Sequence, residues 1–113
     1  MTLVYKILPR TEWEAALQAG RFTGSAIDVA DGYIHFSTAA QAQETAARHF
    51  AGKVGLVVLE IEGDDLGPAL RWEPSRGGDL FPHLYGELPA ERVRRVLPAP
   101  LDDDGVPRLR LAP

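Results

Sequence analysis

The chain has 113 residues, 45% of them hydrophobic and 25% charged, which suits one globular domain and leaves too little length for two. Twelve Lys and Arg against sixteen Asp and Glu give a formal charge of −4, which disfavours a nucleic-acid-binding or anionic-membrane surface. Without cysteine there is no disulfide framework, thiol nucleophile or thiolate metal site, and with no apolar run of membrane-spanning length and no signal-peptide pattern in MTLVYKILPRTE, a cytoplasmic protein is expected.

Residues 3–8, LVYKIL, predict a strand that Pro9 ends. TEWEAALQAG then predicts a helix: Thr11 and Glu14 have capping-box spacing, Trp13, Ala16 and Leu17 form an apolar stripe, and Gly20 suits the stop. Residues 21–32 have no regular period and predict an irregular loop. GYIHFS alternates as a strand should, and Thr38-x-x-Gln41 caps a second helix, AAQAQETAARHF. VGLVVLEI is almost continuously apolar and predicts a central strand covered on both faces. ALRWE and PHLYGEL predict two short strands around the loop PSRGGDLF, and RVRRVLPA a further strand with basic outer positions. The tail LDDDGVPRLRLAP predicts a turn at Asp104-Gly105 and one edge strand limited by its prolines.

Strand parity sorts the polar residues, because successive side chains face opposite ways. Tyr33, His35 and Ser37 share one side of GYIHFS, Arg71 and Glu73 one side of LRWEP, and His83 and Tyr85 one side of PHLYG. If these segments adjoin, imidazole, carboxylate and phenol groups converge on one cleft. The plainer alternative is the polar face that any half-exposed antiparallel sheet carries.

Several chemistries can be weighed on these residues. Ser37 lacks a nucleophile-elbow pattern around it, which argues against Ser–His catalysis. His35, His83 and Glu73 are a donor set that suits zinc, but no His-x-x-x-His or His-Glu-x-x-His spacing supports it. Gly-rich phosphate and dinucleotide loops are absent from the sequence. Nucleotides bound in other ways fit the inventory better. Tyr33 or Tyr85 could stack a planar ring, His35 could bond ribose hydroxyls, Arg71 or Arg76 could pair a phosphate, and Glu73 could stabilise positive charge as an N-glycosidic bond breaks.

GYIHFS and FPHLYGEL, joined by an apolar central strand and an acidic residue after a tryptophan, resemble the bacterial family known as domain of unknown function 952. The resemblance runs over about residues 1–97, leaving 98–113 as a C-terminal extension. It implies a fold similar to the ADP-ribosyltransferase superfamily, which includes the RNA 2′-phosphotransferases, with NAD as substrate. In that superfamily a strand-borne His-x-Ser or His-x-Thr contacts the ribose and amide of the dinucleotide; the matching residues are His35 and Ser37, with Phe36 in place of the usual glycine. Glu73, His83 and Tyr85 join them by chemical character.

The expected fold is α+β: one domain over residues 1–113, with a mixed, mostly antiparallel sheet, continuous or split, and two main helices. The expected function is binding of NAD or an ADP-ribose-like nucleotide, with transfer or hydrolysis. The alternatives are a noncatalytic metabolite-binding module with the same pocket and, third, a metal-dependent hydrolase. His35, Glu73 and His83 are the expected catalytic residues; Tyr33, Ser37, Arg71, Arg76 and Tyr85 are the expected ligand contacts. No metal ligand is assigned, and the oligomeric state is left open.

Overall fold

Strand β1 (Leu3–Pro9) buries every residue from Val4 to Leu8 and supplies the axis on which the rest packs. The computed structural model describes residues 1–111, apart from the side chain of Arg76. Pro9 ends β1 and, at φ −60°, is also the N-cap of α1 (Arg10–Ala19). The helix therefore starts ahead of Thr11, and the expected Thr11–Glu14 box does not form. Its stop is the expected one: Gly20, at φ 81°, donates its N–H to the Leu17 carbonyl. Trp13 and Ala16 are buried, whereas Leu17 is exposed, because the helix rests on the sheet only along its Trp13–Ala16 line.

Residues 21–32 are not the expected irregular loop. They hold β2 (Arg21–Phe22) and the short helix α2 (Ala26–Asp31). Ser25 caps α2, with its N–H donating 2.9 Å back to the Asp28 carboxylate in a capping box. Ile27 and Val29 of this helix face solvent, so no apolar period announces it.

The expected strand over 32–37 is also divided, into β3 (Ile34–His35) and β4 (Ser37–Thr38). Between them the Phe36 N–H donates to the Pro82 carbonyl, and the chain crosses there from one sheet into another. Thr38 and Gln41 then form the expected reciprocal box at the start of α3 (Ala39–His49). The remaining strands are β5 (Leu56–Glu62), β6 (Leu70–Pro74), β7 (Leu80–Leu84), β8 (Leu88–Pro89) and β9 (Val93–Pro98).

The strands make three antiparallel sheets, ordered β4-β1-β5-β9, β3-β7-β6 and β2-β8. Among the described residues there are three α-helices, one more than the two main ones expected, because α2 lies in the expected loop, and the architecture is α+β. Period two divides the central strands between two cores. Val4, Leu8, Val57, Leu59 and Ile61 pack with α1 and the three-stranded sheet, while Tyr5, Ile7, Leu56 and Val58 pack under Ala42 and Ala46 of α3. The C-terminal segment closes the second core with Ala99, Leu109 and Leu111. Its expected edge strand is reduced to one bridge between Leu101 and Pro107, since Pro107 has no N–H to extend a ladder.

Each core contains a buried carboxylate with its partners. On the α1 side Lys6 meets Asp28 at 2.8 Å, both at most 5% exposed. On the α3 side Glu60 accepts from Tyr5 at 2.9 Å and from both arms of Arg95 at 3.0 and 2.6 Å. Removing one partner of a buried pair leaves the other uncompensated, so Asp28→Ala should cost about 3–5 kcal/mol. Urea unfolding of wild type and variant measures it, and a loss below about 1 kcal/mol would show that Lys6 finds water or another acceptor.

Candidate functional site

The register of the three-stranded sheet brings separate sequence segments together. His35 pairs with His83 across β3 and β7, and His83 pairs with Arg71 across β7 and β6. Directly paired residues share a face, so these three form one row. Tyr33 and Tyr85, each two residues further along, extend that face beyond the row, and Glu73 joins it from the other side.

The side chains interlock. Tyr33 stacks on His83 with ring centroids 4.1 Å apart and planes at 28°, and contacts His35 at 4.7 Å and Tyr85 at 5.2 Å. Arg71 lies over the Tyr85 ring at 4.6 Å. Glu73 Oε1 accepts from His83 Nδ1 at 2.8 Å and from the Tyr85 hydroxyl at 2.7 Å. Those two bonds, His83 first, hold the Glu73 carboxyl below its usual range, and the same contact with Glu73 pushes the Tyr85 phenol up. Burial, then the Asp31 and Glu73 carboxylates, push the Tyr33 phenol up as well. The result is a filled shelf rather than a hollow. His83 is buried beneath Tyr33, while the side chains of His35 and Glu73 are about one-third exposed.

Asp28 fixes His35. Its Oδ1 accepts the His35 backbone N–H at 3.1 Å and lies 2.6 Å from Nδ1 of the ring. Burial pushes the Asp28 carboxyl up, but the hydrogen bond from His35, the Lys6 ammonium and the Ser25 N–H outweigh it and hold the group well below the usual range. Burial in turn pushes the Lys6 ammonium down, against the pull of Asp28. Because an ionised carboxylate only accepts, Nδ1 donates to Asp28, and Nε2, 2.9 Å from Asp31 Oδ2, forms an ion pair with it when the ring is protonated.

Not every residue singled out from sequence joins this shelf. Ser37 falls on the other sheet, buried, with its hydroxyl 3.1 Å from that of Thr45 on α3. The crossing at Phe36 takes it away from His35. Arg76 begins a 3-10 turn between β6 and β7, and its side chain lies outside the described residues. Sequence reasoning in turn missed Asp28, Asp31 and Lys6. The available signals were a lone lysine inside the apolar run LVYKIL and the capping-box spacing of Ser25 and Asp28.

Two hollows lie elsewhere, of about 410 Å³ between α1 and the start of α2 and about 280 Å³ beside Gly63 and Trp72. The first has Glu12 bonded to Ser25 and Arg21 paired to Glu87, and neither gathers groups with matching chemistry. Among the described residues no three His, Asp or Glu side chains are placed to hold one metal ion. Among them, too, no helix is long and apolar enough to cross a membrane.

The family described as protein of unknown function (DUF952) matches residues 7–96. The chain is 56% identical to protein CC0527 from Caulobacter crescentus, whose crystal structure has a TM-score of 0.93, covering 95% of this chain and 94% of that one. The solution NMR structure of CC0527 gives 0.86 at 56% identity, covering 96% and 93%. No curated protein matches the chain.

The depressed Asp28 carboxyl has a consequence for stability in acid. Its contribution is fully present above the unfolded value of about 4 and is lost as pH falls below it toward the folded value. The stability gap between wild type and Asp28→Ala should therefore narrow steadily below about pH 4 in urea titrations. A gap that stays constant down to about pH 2 would mean that Asp28 has an ordinary carboxyl in the folded protein.

Proposed function

The chain belongs to the DUF952 family, and from the geometry of its three-stranded sheet we propose that the tyrosine–histidine shelf binds NAD or an ADP-ribose-like nucleotide. The observation that carries this reading is the single row of His35, His83 and Arg71, with Tyr33, Tyr85 and Glu73 gathered about it. With Nδ1 committed to Asp28, His35 Nε2 exchanges its exposed Asp31 partner for ribose hydroxyls. The outer faces of Tyr33 and Tyr85 receive a planar base, and Arg71 pairs the pyrophosphate.

The proposed chemistry is transfer of the ADP-ribosyl group. The N-glycosidic bond breaks with its electron pair going to the ring nitrogen of nicotinamide, which leaves neutral. A hydroxyl or water then captures the ribosyl cation and gives up a proton. Glu73 favours the developing positive charge through Oε2, which accepts no hydrogen bond among the described residues. The ADP-ribosyltransferase-like fold belongs to this same proposal, as does action in the cytoplasm, where such dinucleotides serve as substrates.

One feature favours a second reading, a noncatalytic binding module on the same shelf. His83 is buried under Tyr33 and Glu73 Oε1 already holds two donors, so binding engages fewer free groups than turnover would. The metal-dependent hydrolase reading lacks a ligand set among the described residues.

Thermal melting with NAD and ADP-ribose, alongside measurement of free nicotinamide, separates these readings. Saturable stabilisation lost in His35→Ala is expected, with the variant's own Tm within a few degrees of wild type. Nicotinamide release above that of His35→Ala supports the transferase, and stabilisation without release supports the binding module. If neither ligand raises the wild-type Tm at saturating concentration, the nucleotide reading fails.

A further inference from the structure

Strand β6 pairs with β7 on one side only, and Arg71, Trp72 and Pro74 along it are exposed. The Tyr85 N–H donates to the Ala69 carbonyl and the Ser75 N–H to that of Asp79. By period two, Arg71 and Glu73 therefore turn their backbone groups toward β7, and Leu70, Trp72 and Pro74 turn theirs outward. The Leu70 N–H is bent back to the Gly67 carbonyl and Pro74 has none, so Trp72 holds the outward donor of this strand. An open row of backbone groups is a template for a further strand.

The side chains indicate which strand fits. On the face away from the shelf, Trp72, 39% exposed, adjoins Pro74 and Leu80, and tryptophan is enriched at the centres of interfaces. On the shelf face Arg71 and Glu73 carry opposite charges, with Trp72 midway between them. Such a strand complements itself about a two-fold axis. The Trp72 N–H can reach the outward carbonyl of Leu70, Trp72 or Pro74 in a second copy, and each choice gives two symmetric bonds. The Leu70 choice sets the two Arg71 side chains against each other, and the Pro74 choice the two Glu73 side chains. The Trp72 choice alone sets Arg71 against Glu73, and does so twice. Both groups are available for it. Glu73 Oε1 is held by His83 and Tyr85, but Oε2 accepts no hydrogen bond among the described residues. Arg71 lies over Tyr85 and makes no salt bridge among them.

We propose that β6 is a docking edge for a second copy of this chain, paired antiparallel about Trp72, with Arg71 of each copy against Glu73 of the other. The two three-stranded sheets run on as one, both shelves lie on the same face, and each copy adds an arginine to the edge of the other's shelf. Pro74 stops the ladder from lengthening, which makes the pair reversible. The pairing stands whether or not the shelf takes a nucleotide. Where it does, the second copy and the nucleotide compete for Glu73 Oε2.

Sedimentation equilibrium of the nucleotide-free protein from about 5 to 500 μM should show monomer and dimer with a Kd of about 1–100 μM. Glu73→Arg and Arg71→Glu should each weaken the dimer about tenfold, and both changes in one chain should bring it back to within about threefold of wild type. The chain has no cysteine, so Trp72→Cys places a lone thiol on the axis without touching the shelf. Its Cα lies about 5.5 Å from its copy, within reach of a disulfide, and mild oxidation should join two chains. Val96→Cys, equally exposed on the edge strand β9, should cross-link far more slowly. A wild type that stays monomeric at the highest concentration overturns the proposal. So does a dimer indifferent to both charge reversals, or cross-linking no faster at position 72 than at 96.

Discussion

The buried carboxylate of Asp28 is the contact on which the site depends. It holds four groups from three pieces of the chain: the Lys6 ammonium from the central strand, the Ser25 N–H that starts α2, and both the backbone and the ring of His35. Taking Lys6 and Asp28 out of water is costly, and an apolar pair of similar volume would fill the space without lower stability. Such a pair would leave the Ser25 and His35 N–H groups without an acceptor, and the imidazole free to turn. The value of the charge lies in orientation. A side chain anchored in the core holds one on the surface, so His35 is positioned by β1 rather than by its own short strand.

The second buried carboxylate shows what happens when the same device is closed. Glu60 is as deeply buried as Asp28, on the opposite face of the sheet, but its oxygens are occupied by Tyr5 and by both arms of Arg95. Arg95, first by that contact, is pushed further up from an already high range, and it also holds the Leu111 carbonyl. Every partner of Glu60 thus belongs to the framework, and the cluster fastens the C-terminal segment over α3. Asp28 spends one of its bonds on an imidazole that has a second nitrogen. That difference in partners makes one cluster a fastening within the framework and the other a support for a half-exposed side chain.

Much of the shelf was legible from strand parity alone. The alternation that pairs Arg71 with Glu73 and His83 with Tyr85 needs only period two, and the antiparallel register does the rest. Ser37 escaped that logic because parity holds only within a continuous strand, and Phe36 interrupts one. Helix α2 escaped because Ile27 and Val29 are exposed and its only inward group is an acid, the reverse of the usual amphipathic pattern. The burial of His83 depends on Tyr33 leaning across from the bend before β3, which no single segment encodes. Thr11 was misread because Pro9 already supplied a helix entry two residues earlier.

The stacking of Tyr33 on His83 also governs how a planar ring could meet this surface. Ligand insertion between the two would break a stack with centroids 4.1 Å apart, worth about 0.5–1.5 kcal/mol, and would have to part Tyr33 from a buried imidazole already bonded to Glu73. Approach from outside breaks nothing. The Tyr85 hydroxyl is held by Glu73, the Arg71 guanidinium rests on the Tyr85 ring, and Gly32, at φ 88°, sets the entry of Tyr33. Each exposed group is thus fixed by a partner behind it, and a ligand that lies across the shelf loses less entropy than one that must rearrange it.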